Sequence, residues 1–120
     1  DYNEWLHVAV VSGGQRISAG GTVLGKKHQP RIVRLEGQPV EIVPEGVLLL
    51  LHNVDRPGMV GHIGTLMGRH QVNIASMSLS RDNAGGQALT VLNLDSVPPQ
   101  AVLDEMQRDP DISNVQVVQL

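Results

Sequence analysis

The residues best suited to chemistry lie in one short stretch, Asn53-Val54-Asp55-Arg56-Pro57-Gly58. Pro57 presets φ and lacks an N–H, so it suits the first position of a helix, where that N–H would have no partner. Asp55 or Arg56 then falls at the N-cap, and Asp55 is the better side chain for it. Gly58 carries no Cβ, so a ligand or another backbone can approach closely. Free N–H groups at a helix start, reinforced by the helix dipole, attract anions. An amino acid fits this combination, with its carboxylate at the helix start and its ammonium on an aspartate. A well-capped strand-to-helix turn with no ligand has the same spacing.

Other candidates carry less. The five histidines, His7, His28, His52, His62 and His70, show no paired ligand spacing, so no metal site is expected. Ser76, Ser78 and Ser80 alternate on one strand face, which suits a solvated or interface face better than nucleophiles. No serine or threonine sits in a nucleophile elbow. Catalytic residues are therefore not expected. Gly20-Gly21 and Gly85-Gly86 do not lead from a strand into a helix and are not phosphate loops. Lys26, Lys27, Arg31 and Arg34 form a basic group that could hold an anion at a domain boundary, or simply be solvated.

The elements that must position the stretch follow from periodicity. Val47 to Val54 is a strand. Pro57 to Gln71 is a helix with an apolar stripe at Val60, Ile63, Leu66 and Met67. Val72 to Ser80 and Gln87 to Leu94 are strands joined by a hairpin. Pro98-Pro99 opens a helix from Gln100 to Arg108, and Ile112 to Leu120 is a last strand. The order β-α-β-β-α-β predicts a ferredoxin-like α+β sandwich over residues 46–120. Leu48-Leu49-Leu50-Leu51 is apolar on both faces, so a partner or the N-terminal segment must cover the side away from the helices. Gly61, Gly64 and Gly68 share a face of the first helix. They either admit another backbone or are tolerated through burial. Upstream, residues 1–45 read as short strands with a bulge or a close backbone approach at Gly20-Gly21 and no helix to cover them. They look like the end of a larger domain.

Composition narrows the classes. The chain has 120 residues, a net charge of −3, no cysteine and no phenylalanine. The charge does not suit a polyanionic partner, and the near absence of aromatics argues against base stacking, so no nucleic-acid role is expected. No apolar run reaches spanning length, and a soluble, cytoplasmic, membrane-free protein is the expectation.

The motif Asn53-Val54-Asp55-Arg56-Pro57-Gly58, followed by Ile63-Gly64-Thr65-Leu66-Met67-Gly68 and Val72-Asn73-Ile74-Ala75-Ser76-Met77, resembles an ACT domain. In particular it is similar to the C-terminal regulatory domain of the bacterial D-3-phosphoglycerate dehydrogenase family. The upstream Ala19-Gly20-Gly21-Thr22-Val23-Leu24-Gly25 and Pro30-Arg31-Ile32-Val33 look like the end of that family's intervening domain. The resemblance implies a domain that binds L-serine or a similar small amino acid between paired copies. The implied effector residues are Asn53, Asp55 and, from the partner copy, Asn73, flanked by Arg56, Pro57, Gly58 and Ile74. It also implies that NAD and the catalytic residues belong to parts outside this chain, which itself would hold no cofactor. The β part of an iron–sulfur L-serine dehydratase and a non-enzymatic binding or assembly module share the pattern. Self-association along the strand Val72 to Ser80, an edge in this fold, is expected.

Overall fold

The computed structural model describes residues 5–12, 15–24, 29–35, 38–81 and 85–120, with side chains described from residue 38 onward and at Ile32 and Leu35. The upstream elements are β1 (Trp5–Ser12), β2 (Gln15–Leu24), β3 (Gln29–Leu35) and β4 (Gln38–Ile42), an antiparallel sheet in sequential order. The expected bulge is present: the β2–β3 register shifts between Gly20 and Gly21. Lys26 and Lys27 lie outside the described residues. Arg31 and Arg34 lie on β3 with their side chains outside them, so the possible anion site is untouched by the geometry below.

The remaining elements are β5 (Val47–Val54), α1 (Met59–Arg69), β6 (Ile74–Arg81), β7 (Gln87–Leu94), α2 (Gln100–Arg108) and β8 (Ile112–Gln119). Their sheet runs β6-β7-β5-β8 with every pairing antiparallel. This is the ferredoxin-like βαββαβ order, and β6 is an edge strand.

The two faces of β5 are buried differently. Leu49 and Leu51 join Met59, Ile63, Leu66, Met67, Val102 and Met106 in a core between sheet and helices. Leu48 and Leu50, with Leu89 and Val91 of β7, pack against Leu35, Val40 and Ile42 of the upstream sheet. The cover for the second face is thus the N-terminal segment. Val40 and Ile42 alternate with exposed Pro39 and Glu41, as a strand with one buried face must. Polar groups join the layers as well. Asn93 Nδ2 donates to the Val43 carbonyl (3.0 Å), Ser76 Oγ donates to Asn93 Oδ1 (2.7 Å), and Ser80 Oγ donates to Gln38 Oε1 (3.2 Å). All three alternating serines, in register with Asn93, Val91 and Leu89, lie on this face of the sheet.

Both ends of α1 differ from expectation. Pro57 is not the first helical residue, and neither Asp55 nor Arg56 is the cap. Gly58 is the N-cap at φ 87°, ψ −11°, and Met59 N–H donates to the Arg56 carbonyl (3.3 Å). That is a type II turn, with Pro57 in the position that wants φ near −60° and Gly58 in the position that wants φ near +80°. Starting at Met59 rotates the buried stripe to Met59, Ile63, Leu66 and Met67, and leaves Val60 52% exposed. At the other end, Val72 N–H donates to Met67 O (3.0 Å) and Gln71 N–H to Gly68 O (3.1 Å), with Gln71 at φ 60°. This is a Schellman close, in which buried Val72 packs into the core beside Met67. Residues 72 and 73 therefore belong to the connection, and β6 begins at Ile74.

A Cβ built on Gly61, Gly64 or Gly68 meets nothing within 4 Å. These glycines are not packed against another element among the described residues. The helices are tied along their other flank: His62 Nε2 lies 2.9 Å from Asp109 Oδ2, and His70 Nε2 3.1 Å from Glu105 Oε1. The His70 hydrogen bond holds the Glu105 carboxyl below its ordinary value of 4.5.

Candidate functional site

The turn after β5 is clamped by residues far away in sequence. Asn53 ends the helix-facing row of β5 and is 1% exposed. Its Oδ1 accepts from Thr90 Oγ (2.6 Å) and its Nδ2 donates to the Val54 carbonyl (3.1 Å), so its amide is committed inside the sheet. Val54 N–H donates to Asp111 O, which docks the entrance of β8 on the turn. Arg56 Nε donates to Asp111 Oδ2 at 2.9 Å and strengthens that attachment.

Asp55 fastens the opposite side. Its N–H donates to Gly86 O (2.8 Å). Its Oδ2 accepts from Arg81 Nη1 (2.8 Å) and from Gly85 N–H (3.2 Å). The Arg81 hydrogen bond first, then the Gly85 N–H and the Arg81 charge, hold the Asp55 carboxyl below its ordinary value of 3.8 against the opposing effect of burial. Asp55 is thus an ionised acceptor near neutral pH, with 18% of its side chain exposed.

Asn73 and Ile74 lie elsewhere. Ile74 pairs with Leu94, which pairs with Val47, whereas Arg81 pairs with Ala88, which pairs with Asn53. Asn73 is therefore at one end of the sheet and Asp55 at the other, about 25 Å apart at 3.3 Å per residue. Asn73 Nδ2 donates to Asp95 Oδ2 (2.6 Å) and its carbonyl accepts from Asp95 N–H (3.2 Å). One chain brings Asn53, Asp55, Arg56, Pro57 and Gly58 together and keeps Asn73 and Ile74 apart from them. Among the described residues, a Cβ at Gly58 would meet nothing within 4 Å.

Sequence reasoning missed Arg81, Gly85, Thr90 and Asp111 as members of this cluster. Arg81 is 26 residues from Asp55, and Asp111 is 55 residues from Arg56. No local spacing marks such pairs. Among the described residues, no group of three or more His, Asp or Glu side chains could hold a metal ion.

A four-stranded antiparallel sheet under two helices, with a Pro-Gly turn between its first strand and first helix, is a ferredoxin-like module. The ACT domain model matches residues 47–111, and the chain belongs to that family. Over nearly its whole length the chain is also similar to enzymes named D-3-phosphoglycerate dehydrogenase. That of Methanocaldococcus jannaschii is 33% identical over 119 residues, which is 99% of this chain and 22% of the enzyme. That of Archaeoglobus fulgidus is 36% identical over 121 residues, 99% of this chain and 23% of the enzyme. That of Mycobacterium tuberculosis H37Rv is 36% identical over 112 residues, 93% of this chain and 21% of the enzyme. The chain spans about a fifth of the length of these relatives. No helix among the described residues is long and apolar enough to cross a membrane.

Proposed function

We propose that residues 46–120 sense L-serine and pair subunits, and that residues 1–45 are the end of an intervening domain. Both would belong to a cytoplasmic, NAD-dependent D-3-phosphoglycerate dehydrogenase that commits 3-phosphoglycerate to serine synthesis. The family match and the names of the relatives support the class. The observation that carries the two-chain site is the separation of Asp55 from Asn73 across the sheet. One small ligand cannot touch both within a single copy. Two copies joined through antiparallel β6 edges bring the Asn73 end of one to the Asp55 end of the other.

In this arrangement Asp55 accepts from the ammonium through a charge-assisted bond. N–H groups at the start of α1 serve the carboxylate, with Pro57 and Gly58 shaping the approach. Asn73 and Ile74 of the second copy close the site, and the Asn73 amide can donate or accept. Asn53, being buried, contributes by fixing the end of β5, and Arg56 does so through Asp111. The uncovered face at Val60, Gly61, Gly64 and Gly68 is smooth enough for a second helix to pack against it.

Titration calorimetry of the wild type, Asp55→Ala and Asn73→Ala with L-serine, alongside sedimentation velocity, tests this reading. Losing one such contact costs on the order of 1–3 kcal/mol, a fall of about ten- to a hundredfold in affinity. Serine should also strengthen pairing, because the site needs both copies. A wild type that binds serine no better than either variant would mean the site is elsewhere. A folded, paired protein silent to millimolar serine would leave only the assembly role.

A further inference from the structure

We propose that Arg81 is a resident counter-ion of the effector site, occupying on Asp55 the position that the ammonium of a bound amino acid takes and thereby setting how tightly the site holds its ligand. The inference rests on the reading above and deepens it. Asp55 is the anionic acceptor of the turn, and its Oδ2 is already occupied by Arg81 Nη1 at 2.8 Å. The second donor on that oxygen, the Gly85 N–H, is backbone and stays in place when the cation changes. The two side chains differ in exposure: Asp55 is 18% exposed and Arg81 53%. The carboxylate is the sheltered member of the pair and the guanidinium the solvated one. Arg81 can therefore swing into water at small cost while Asp55 keeps its place. An exchange of one cation for another leaves the net charge around Asp55 unchanged.

Exposed ion pairs are weak, so the closed form outweighs the open form by a few-fold at most. A site that is only fractionally open binds with its affinity reduced by that fraction. Arg81→Gln, which removes the charge and leaves a shorter polar chain, should therefore tighten L-serine binding by about two- to fivefold. Arg81→Lys, which keeps a cation, should bind like the wild type. The sign is what separates this role from the obvious alternative. If Arg81 instead gripped the serine carboxylate, Arg81→Gln would weaken binding.

Calorimetry with L-serine on the whole 120-residue chain, for wild type, Arg81→Gln and Arg81→Lys, is the measurement, with circular dichroism melts to establish that each is folded. Tighter binding in Arg81→Gln alone is the expected result. Equal or weaker binding in Arg81→Gln, with the wild type still binding, overturns the counter-ion role and leaves the serine site standing. An equal gain in both variants also overturns it, since charge would then not matter. Should Arg81→Gln not fold, binding to Arg81→Lys and to Arg81→Met decides between the same outcomes. Absence of serine binding in every folded variant removes the site itself, and this inference with it.

Discussion

The two faces of β5 are equally apolar in sequence and differently covered. Leu49 and Leu51 lie beneath α1 and α2, elements that follow within the same module. Leu48 and Leu50 lie beneath β3 and β4, which come before it. The helix face is sealed by apolar side chains around a continuous core. The other face combines a smaller apolar patch with polar anchors at Asn93, Ser76, Ser80 and Gln38. Hydrophobic contact is non-directional, while a buried hydrogen bond demands a definite partner. The helix face thus supplies most of the stability, and the second face sets how the upstream sheet is registered on the module.

The strongest test of this contrast is a pair of substitutions on one strand. Leu49→Ala, at a position with no exposure beneath both helices, should cost about 4 kcal/mol, and Leu50→Ala nearer 2 kcal/mol. Urea denaturation of both variants reads the difference. Equal costs would mean that the upstream sheet packs as tightly as the helices do. Next in size, Asn93→Leu leaves the Val43 carbonyl and the Ser76 hydroxyl without their partner and should cost on the order of 1–3 kcal/mol. Hydrogen exchange in Asn93→Leu should rise at residues 38–43 more than in α1 or α2. Uniform acceleration would erase the distinction between the faces.

Gln71→Gly acts on the helix side alone. Gln71 holds φ 60°, a conformation that costs a residue with a Cβ about 1 kcal/mol. Its replacement should raise stability by that amount in thermal melts, without changing exchange at residues 38–43. The smallest effect is pH dependence. Asp55 titrates below 3.8 in the folded chain, so its contribution is complete above that value and is lost as pH falls through the folded pKa. Compared with Asp55→Asn, the wild type should gain stability between pH 2 and pH 4 and show no further relative change above pH 5. A difference that vanishes by pH 7, or that goes on growing between pH 5 and pH 7, would contradict the ion pair with Arg81.

Much of this architecture was legible before any coordinates. Gln87 to Leu94 and Gln100 to Arg108 match β7 and α2 residue for residue. In both cases punctuation lies next to the boundary, Gly85-Gly86 before the strand and Pro98-Pro99 before the helix. The start of α1 was displaced because Pro-Gly satisfies two rules at once, and the type II turn prevailed over proline at the first helical position. Its end was displaced because a glutamine, not a glycine, takes the left-handed position. Of the site, the turn and its Pro-Gly geometry were visible. The burial of Asn53 and the attachment of Asp55 to Arg81 and Gly85 were not, because they depend on strand register and on residues that only the folded sheet brings near.

The strand order carries a kinetic consequence. β5 is the first strand of its sheet to leave the ribosome, yet one of its neighbours is β8, the last, with Leu49 opposite Val117. Until β8 arrives, a strand that is apolar on both faces keeps one edge unpaired. Pairings so distant along the chain are slow to form, and unpaired apolar edges invite association with other nascent chains. The upstream sheet, already synthesised by then, can rest on Leu48 and Leu50 during the wait. The segment that fixes register in the finished molecule would then also serve as a shield while the module is being made.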